Sequence, residues 1–573
     1  MKKSDTGARW ITRETDANLP LMAETLGISE TTARVMANRG IRSKKTALSF
    51  LKPSIDGLFA FTQMKGAEAA LARIKLAIEG GEKITIFGDY DADGITSVAI
   101  LQKVLTRLGA NVSYYIPHRV SEGYGMNKAA VQTLANAGTR LIVAVDNGIS
   151  AVEEIALASA LGVDTIIIDH HEPGEYLPSA VAIVDPKQPD CPYPFKELCA
   201  GGLSYKLVAA LCDYMGAPFA ERDEALALAA IATVCDIVPL VGENRILANC
   251  GMVILNANKL INPGLGSLLT IRGYLEKPID TFTIGFVIGP CINAAGRLDN
   301  AREAVELLLA TAEDISTRMQ IAHRLAELNE RRKQLTTDSA DRILASIAGS
   351  NDKIYVITDD EIHESIAGIV AGRVREATGH PTIVLARGDD GGMKGSGRSS
   401  PCYNMFDALY ANRHLFARFG GHAMAAGLSM QEENVPLLRE ALNRNCTLTD
   451  EDFCAIVEID AELALCDVTT KLADELARLA PYGSGNKEPL FVARGLVVEN
   501  VRAIDEKNTL IFTFADNMST HAGRVKGIAF GLNEAYKAAG TTAHMDVVFG
   551  VEINVFNGNV SVQMRVRDFI CRP

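Results

Sequence analysis

From about residue 66 to 240, short apolar runs alternate with stretches of helical periodicity. Strand-like runs at 84–87, 112–116, 141–145 and 165–168 are separated by helix-like segments at 68–79, 95–108, 127–137 and 151–161. This alternation is βαβ logic and predicts a mostly parallel sheet covered by helices. From Asp299 to about 348 the chain is helical, charged and free of proline, as a long helix or helix pair joining two domains would be. A second α/β unit follows, with strands near 354–357 and 382–385, a helix at 365–377, and the glycine-rich stretch Gly391 to Ser399. After about 455 the texture turns to β. Leu510 to Phe514 and Val551 to Phe556 alternate, and Asn557-Gly558 before Val560 to Val566 signals a hairpin. A small barrel of the OB kind fits, and such barrels commonly bind single strands. The expected division is an N-terminal helical arm (1–65), an α/β domain (66–298), a connecting helical segment (299–348), a second α/β domain (349–454) and an OB-like β-domain (455–573).

Four apolar runs end at a carboxylate or a histidine. Ile84 to Phe87 leads into Gly88-Asp89-Tyr90-Asp91-Ala92-Asp93-Gly94, and Leu141 to Val145 ends at Asp146-Asn147-Gly148. Ile166 to Ile168 ends at Asp169-His170-His171, and Ala230 to Cys235 ends at Asp236. In parallel sheets, ligands bind beyond the carboxyl ends of the strands, where three of these motifs fall. Carboxylates with imidazole suit manganese or magnesium. Asp89-x-Asp91-x-Asp93-Gly94 matches the first half of a calcium-binding EF-hand loop, but the position that needs a bidentate glutamate is Ile100. A phosphatase reading, with an aspartate nucleophile, leaves Asp169-His170-His171 without a role. Three carboxylates within five residues repel one another unless a cation neutralises them, and an unpaired Asp236 after so apolar a run would be costly.

Composition narrows the field. A chain of 573 residues exceeds one hydrophobic core, so roughly two to four domains are expected. The net charge of −13 argues against a nonspecific coat for nucleic acid, though not against a site that grips a few phosphates beside bound cations. The eleven cysteines form no Cys-x-x-Cys pair, which disfavours zinc ribbons and iron–sulfur clusters. No apolar signal region follows the first residues, and the longest apolar run is too short to span a bilayer, so a cytoplasmic protein with no membrane partner is expected.

The order of the four acidic motifs resembles that of the DHH phosphoesterase superfamily. The wider pattern is similar to its RecJ-type single-strand-specific exonucleases. Supporting stretches are Pro117-His118-Arg119, Glu122-Gly123-Tyr124-Gly125, Asn293 to Asp299, His363 with Gly368 to Arg373, Gly395 to Ser399, Gly420-Gly421-His422-Ala423, and Pro481 to Asn486. The resemblance runs from about residue 50 to the end. It implies DHH, connecting-helix, DHHA1 and OB domains. It also implies hydrolysis of single-stranded DNA from a 5′ end, releasing mononucleotides, in DNA repair and recombination. A single-stranded-DNA-binding protein is the implied partner, and a monomer is expected. Relatives usually carry arginine where this chain has Cys291, which would remove one phosphate contact if that arginine makes one.

Two cations about 3.5–4 Å apart can activate a water and stabilise both oxygens of an in-line displacement. The expected metal ligands are Asp89, Asp91, Asp93, Asp146, His170 and Asp236, with Asp146 shared between the ions. Asp169 is expected to orient a ligand, and His171 to protonate the leaving oxygen or hold the scissile phosphate. Arg119, Asn293, Arg297, His363, Arg373, Ser396, Arg398, Ser399 and His422 are the expected substrate contacts. The glycine-rich stretch adds backbone N–H groups, and its Arg398 can bind phosphate bidentately. Two other readings stay open: a short-oligonucleotide or cyclic-dinucleotide phosphodiesterase or pyrophosphatase, and a silent relative that scaffolds a replication complex. The β-region favours a polymer substrate over the first. The intact acidic set argues against the second.

Overall fold

The computed structural model describes residues 3–388, 391–515, 523–540, 542–556 and 558–572. The chain forms two compact units, Ser54–Leu448 with Gly483–Gly485, and Met1–Pro53 with Thr449–Tyr482 and Asn486–Pro573. Among the described residues, no helix is long and apolar enough to cross a membrane.

The larger unit opens with a five-stranded sheet. Its strands are β1 (Lys83–Phe87), β2 (Asn111–Tyr115), β3 (Leu141–Val145), β4 (Asp164–Ile168) and β5 (Ala182–Val184), all parallel, in the spatial order β2-β1-β3-β4-β5. Every residue of β3 is buried, which explains its unbroken apolar run: helices cover both faces. The covering helices include α1 (Ala92–Arg107), α2 (Lys128–Asn136), α3 (Val152–Ala160), α4 (Ala200–Met215) and α5 (Arg222–Cys235). Two cores result. One holds Ile84, Ile86, Val143, Ile166 and Ile168, and the other Phe87, Ile142, Ala144 and Ile167. The alternation of side chains along each strand deals its residues to opposite faces. Helix α6 (Gly289–Leu298) ends the first half, and the connecting segment is a helix pair, Arg302–Leu309 and the 32-residue α7 (Ile315–Ser346).

The second sheet of this unit contains β6 (Tyr355–Thr358), β7 (Thr382–Arg387), β8 (Met393–Arg398), β9 (Phe416–His422) and β10 (Ala425–Met430), ordered β9-β10-β8-β7-β6. Only β6 and β7 run parallel. Helix α8 (Ala367–Thr378) packs on one face, and α9 (Met405–Ala411) joins β8 to β9. The glycine-rich stretch is therefore a central strand and not a loop. From Met393 to Arg398 its residues pair with β7 on one side and β10 on the other. Those backbone N–H groups are committed to the ladder and are not available to cradle a phosphate. Gly395 is needed there, because a Cβ would sit 2.5 Å from the Val384 carbonyl oxygen.

The smaller unit is a closed barrel. Phe491–Ile504, Thr509–Ala515, Val525–Phe530, Asn559–Arg572 and His544–Phe556 pair in turn, and the last pairs back to the first. Phe491, Phe512, Phe514, Phe549 and Phe569 fill its centre. Phe556 stands opposite Asn559 at the predicted hairpin, whose Asn557 lies outside the described residues. Leu19, Met22, Val35 and Met36 share this core, and Arg9–Thr12 pairs in parallel with Ile456–Ile459.

Candidate metal and phosphate site

Because β1, β3 and β4 are neighbours and parallel, Asp89, Asp146 and Asp169 emerge together at one edge of the sheet. The Asp91 carboxylate caps α1 by accepting the N–H groups of Asp93 and Gly94 at 3.0 and 3.2 Å. Gly94 is required at this turn: its Cβ would lie 2.6 Å from the Asp89 carbonyl oxygen. Asp93 reaches the start of α4, where Ala200 N–H and Gly201 N–H donate to its two oxygens at 2.8 and 2.6 Å. Asp236 caps the C-terminal end of α5.

These groups converge. Asp89, Asp91 and Asp146 can direct ligand atoms to within 4.8 Å of one another, as can Asp93, His170 and Asp236. The two triads join where His170 Nε2 lies 3.1 Å from Asp146 Oδ1 and 3.6 Å from Asp93 Oδ2. His170 Nδ1 is 3.8 Å from Asp236 Oδ2. Asp146 has φ 64°, a left-handed conformation that aspartate tolerates better than most residues, and strain of this kind gathers at functional sites.

The donor set fits hard divalent cations. Asp89 Oδ1 is buried and has no hydrogen-bond partner among the described residues. Burial first, and then neighbouring carboxylates, push Asp89 and Asp146 well above the usual aspartate range, Asp93 to about 7 and Asp236 to about 8. A pocket of acids so strained toward protonation is one that a cation relieves.

Asp169 differs from its neighbours. It is fully buried, which alone would raise its pKa, but hydrogen bonds from His171 and the backbone and the nearby imidazoles hold it at about 2. Its oxygens accept from the N–H groups of Ile149, His170 and His171, and Oδ1 lies 2.7 Å from His171 Nδ1. Burial disfavours the charged form of His171, yet the Asp169 contact prevails and raises it to about 9. His170, buried and beside that charge, falls to about 3.

The basic side of the site comes from several elements. Arg119 lies over the Tyr90 ring at 4.7 Å. Arg297, on α6, donates to the Ser365 carbonyl oxygen at 2.9 Å. It is lowered to about 10, by burial first and then by Arg119 and Arg332. Arg398 is likewise lowered by burial and then by Arg119 and Arg375. Its Nη1 donates to Ser396 Oγ at 2.7 Å. Gly368 on α8 packs so closely that its Cβ would sit 2.7 Å from Arg398 Nη2. Burial and then Arg119 thus lower both Arg297 of the first half and Arg398 of the second sheet, and the net effect is a site that favours an anion.

Not every expected contact joins this cluster. Asn293 Oδ1 accepts the Ala92 N–H at 2.7 Å and so holds the start of α1. Ser399 is buried and donates its hydroxyl to the Tyr403 carbonyl oxygen at 2.6 Å. His363 caps the turn Glu364–Ile366, with its Nδ1 2.7 Å from Ser365 Oγ. Arg373 reaches back to Thr337 Oγ1 of α7 at 2.7 Å. His422 is exposed at the end of β9. Cys291 is completely buried in the first core, so its position is one of packing. Three further residues were not among the expected site residues. Tyr124 donates to the Asp146 carbonyl oxygen at 3.1 Å and lies 3.2 Å from His171 Nε2. Arg332 on α7 borders Arg297. Asp185 ends β5 and is raised to about 7 by burial and then by Asp169. The run Ala182-Ile183-Val184 ahead of it was the same signal that marked Asp146 and Asp169.

Comparison with known proteins agrees with this layout. Family models match in succession: the DHH family N-terminal domain at 83–233, the DHHA1 domain at 351–447 and the RecJ OB domain at 459–568. The chain is 36% identical over 566 residues to the single-stranded-DNA-specific exonuclease RecJ of Bacillus subtilis, covering 98% of this chain and 70% of that protein. It is 33% identical over 574 residues to the Escherichia coli protein of the same name, covering 96% and 97%. The crystal structure of Thermus thermophilus RecJ in complex with Mn2+ superposes with a TM-score of 0.85 at 29% identity, covering 99% of this chain and 80% of that one. The Mg2+ complex from the same organism gives 0.78 at 28% identity, covering 99% and 79%. Similarity at this level over nearly the whole length, with the three domains in order, means that the chain belongs to the RecJ family of the DHH superfamily.

Proposed function

We propose that this protein is a metal-dependent exonuclease specific for single-stranded DNA, which removes mononucleotides from the 5′ end. The observation that carries the reading is the meeting of two acidic triads, joined by Asp146 and His170, with an arginine cluster drawn from both halves of the larger unit. Asp89, Asp91, Asp93, Asp146, His170 and Asp236 would hold two divalent cations, manganese or magnesium, with Asp146 shared. Such a pair supplies Lewis acidity and an activated water for in-line displacement at phosphorus.

The chain's own groups do the rest. Arg119, Arg297 and Arg398 bind the non-bridging phosphate oxygens and offset the charge that develops on them. Asp169, bound to Nδ1, keeps the His171 ring protonated, and the proton on Nε2 passes to the leaving 3′ oxygen. Tyr124 steadies that ring from the other side. The closed barrel of the smaller unit favours a polymer over a dinucleotide, since such barrels track single strands. A cytoplasmic role in DNA repair and recombination, action as a monomer, and a single-stranded-DNA-binding protein as partner complete the proposal. The repair role and the partner follow from the family resemblance.

The test is digestion of 5′-labelled and 3′-labelled single strands and of a blunt duplex, with manganese or magnesium and with EDTA. Early release of labelled mononucleotide from the 5′ end only, no attack on the duplex and silence in EDTA are expected. Equal rates on duplex and single strand, or internal cuts, would overturn it.

A further inference from the structure

Ile237 stands in the left-handed region of backbone space, with φ 61°. Among the described residues, the only others there that are not glycine are Asp146 and Asn508. Aspartate and asparagine tolerate this conformation, whereas a β-branched residue in it is a genuine outlier. Ile237 follows Asp236, the cap of α5, and so holds the position just past a helix end where glycine is the usual choice. Its N–H closes the last turn by donating to the Val234 carbonyl oxygen at 3.3 Å.

Packing does not account for an isoleucine here. The residue is 72% exposed, so the fold gains little from its side chain. The conformation is imposed from both sides. Upstream, Cys235 Sγ lies 3.8 Å from the Ile284 carbonyl oxygen, and Gly289 packs on that sulfur with no room for a Cβ. Downstream, the Leu240 N–H donates to the Ser484 carbonyl oxygen at 2.7 Å. Strain that its surroundings enforce, and that burial does not offset, gathers at functional sites. The neighbour here is Asp236, one Cα step of about 3.8 Å away. Its Oδ2 stands 3.8 Å from His170 Nδ1 in the second acidic triad.

In the exonuclease reading, every other assigned group addresses the phosphate. The carboxylates and His170 take the cations, and Arg119, Arg297 and Arg398 take phosphate oxygens, which DNA and RNA share. The 2′-hydroxyl is what separates the two. An aliphatic side chain beside the cations suits the C2′ methylene of deoxyribose and would leave a 2′-hydroxyl without a hydrogen-bond partner. We propose that Ile237 reads the sugar: its side chain packs on C2′ of the nucleotide held at the cations and selects deoxyribose. The inference rests on the exonuclease reading and supplies the preference for DNA over RNA that its phosphate contacts cannot.

Ile237→Gly removes the side chain and suits the backbone, and Ile237→Val keeps a branched aliphatic group. Both are compared with the wild type on 5′-phosphorylated oligodeoxyuridylate and oligouridylate in manganese, strands that differ only at C2′. The wild type should favour the deoxy strand in kcat/KM by up to about a hundredfold, the limit for an apolar contact that rejects a hydroxyl. In Ile237→Gly that ratio should fall by about tenfold, and in Ile237→Val it should hold. Calorimetric affinities for the products dUMP and UMP should converge in the glycine variant in the same way, without turnover. The Tm of Ile237→Gly in EDTA should rise by about 2 °C or more as the strain is relieved. An unchanged ratio in Ile237→Gly overturns the assignment, whatever its Tm. A wild type that cleaves both strands equally overturns it too, while mononucleotide release in manganese still upholds the nuclease chemistry. A wild type that cleaves neither strand is a failure of the exonuclease reading itself, and the assignment falls with it.

Discussion

His171 Nδ1 lies 2.7 Å from Asp169 Oδ1, and the same carboxylate also accepts three backbone N–H groups. The anchor engages Nδ1, while Nε2 lies 3.2 Å from the Tyr124 hydroxyl. Asp169→Asn keeps the size but removes the charge that maintains the imidazolium. We expect kcat on single-stranded DNA to fall by about 10²- to 10⁴-fold, as in His171→Gln. The double variant should be no worse than either alone, because the pair acts as a unit. Additive losses in steady-state rates would separate the two residues.

The acidic triads imply an unusual response to metal. Asp146 is pushed well above its usual range by burial and by Asp93, so without a cation its carboxylate is a liability. Asp146→Asn, which tolerates the φ of 64°, should raise the Tm of the EDTA-treated protein by about 2 °C or more. It should also abolish the further rise that manganese gives the wild type, worth about 2.7 kcal/mol at a hundredfold excess over Kd. Calorimetric unfolding with and without manganese measures both.

A buried ion pair secures the back of the larger unit. Lys206 Nζ donates to Glu243 Oε1 at 2.8 Å and to the Phe59 carbonyl oxygen at 2.6 Å. Tyr193 and the Phe59 N–H complete the shell of Glu243. Glu243→Gln strands the ammonium and should cost about 3–5 kcal/mol in urea unfolding. Lys206→Met combined with Glu243→Leu should recover most of that loss, because neither charge then remains to be solvated.

In the smaller unit, Glu475 Oε2 accepts from Ser29 N–H at 2.8 Å, Ser29 Oγ at 2.6 Å and Thr32 Oγ1 at 2.8 Å. Burial works to raise this carboxyl, but those donors prevail and hold it below its ordinary 4.5. A depressed folded pKa adds stability that is present above the unfolded value and is lost as pH falls through the folded one. Glu475→Gln should therefore cost about 1 kcal/mol at pH 7. The gap from wild type should narrow steadily below 4.5. A gap independent of pH in denaturant titrations would show that the charge contributes nothing.

The strand-end acids were legible because period and polarity are local. An apolar run that stops at an aspartate needs no partner to be recognised, and Asp89, Asp146 and Asp169 fell where the pattern put them. Asp185 carried the same signal at the end of a run of only three residues. The stretch Met393–Arg398 misled because its glycines suggested backbone N–H groups open to phosphate, whereas pairing on both sides makes it a strand. Asn293 and Ser399 matched a motif, yet Asn293 Oδ1 and Ser399 Oγ are engaged within the fold, by the Ala92 N–H and by the Tyr403 carbonyl oxygen.

By itself the sequence determined the elements, the order of the domains and the kind of chemistry, because residue type and spacing set local conformation and ligand hardness. Tertiary structure decided which groups face one another. It joined the two triads through Asp146 and His170, brought Arg119 near both Arg297 and Arg398, and left Gly420 and Gly427 bare. These are contacts between residues tens to hundreds of positions apart, set by strand order and helix packing. A residue's spacing along the chain does not record them.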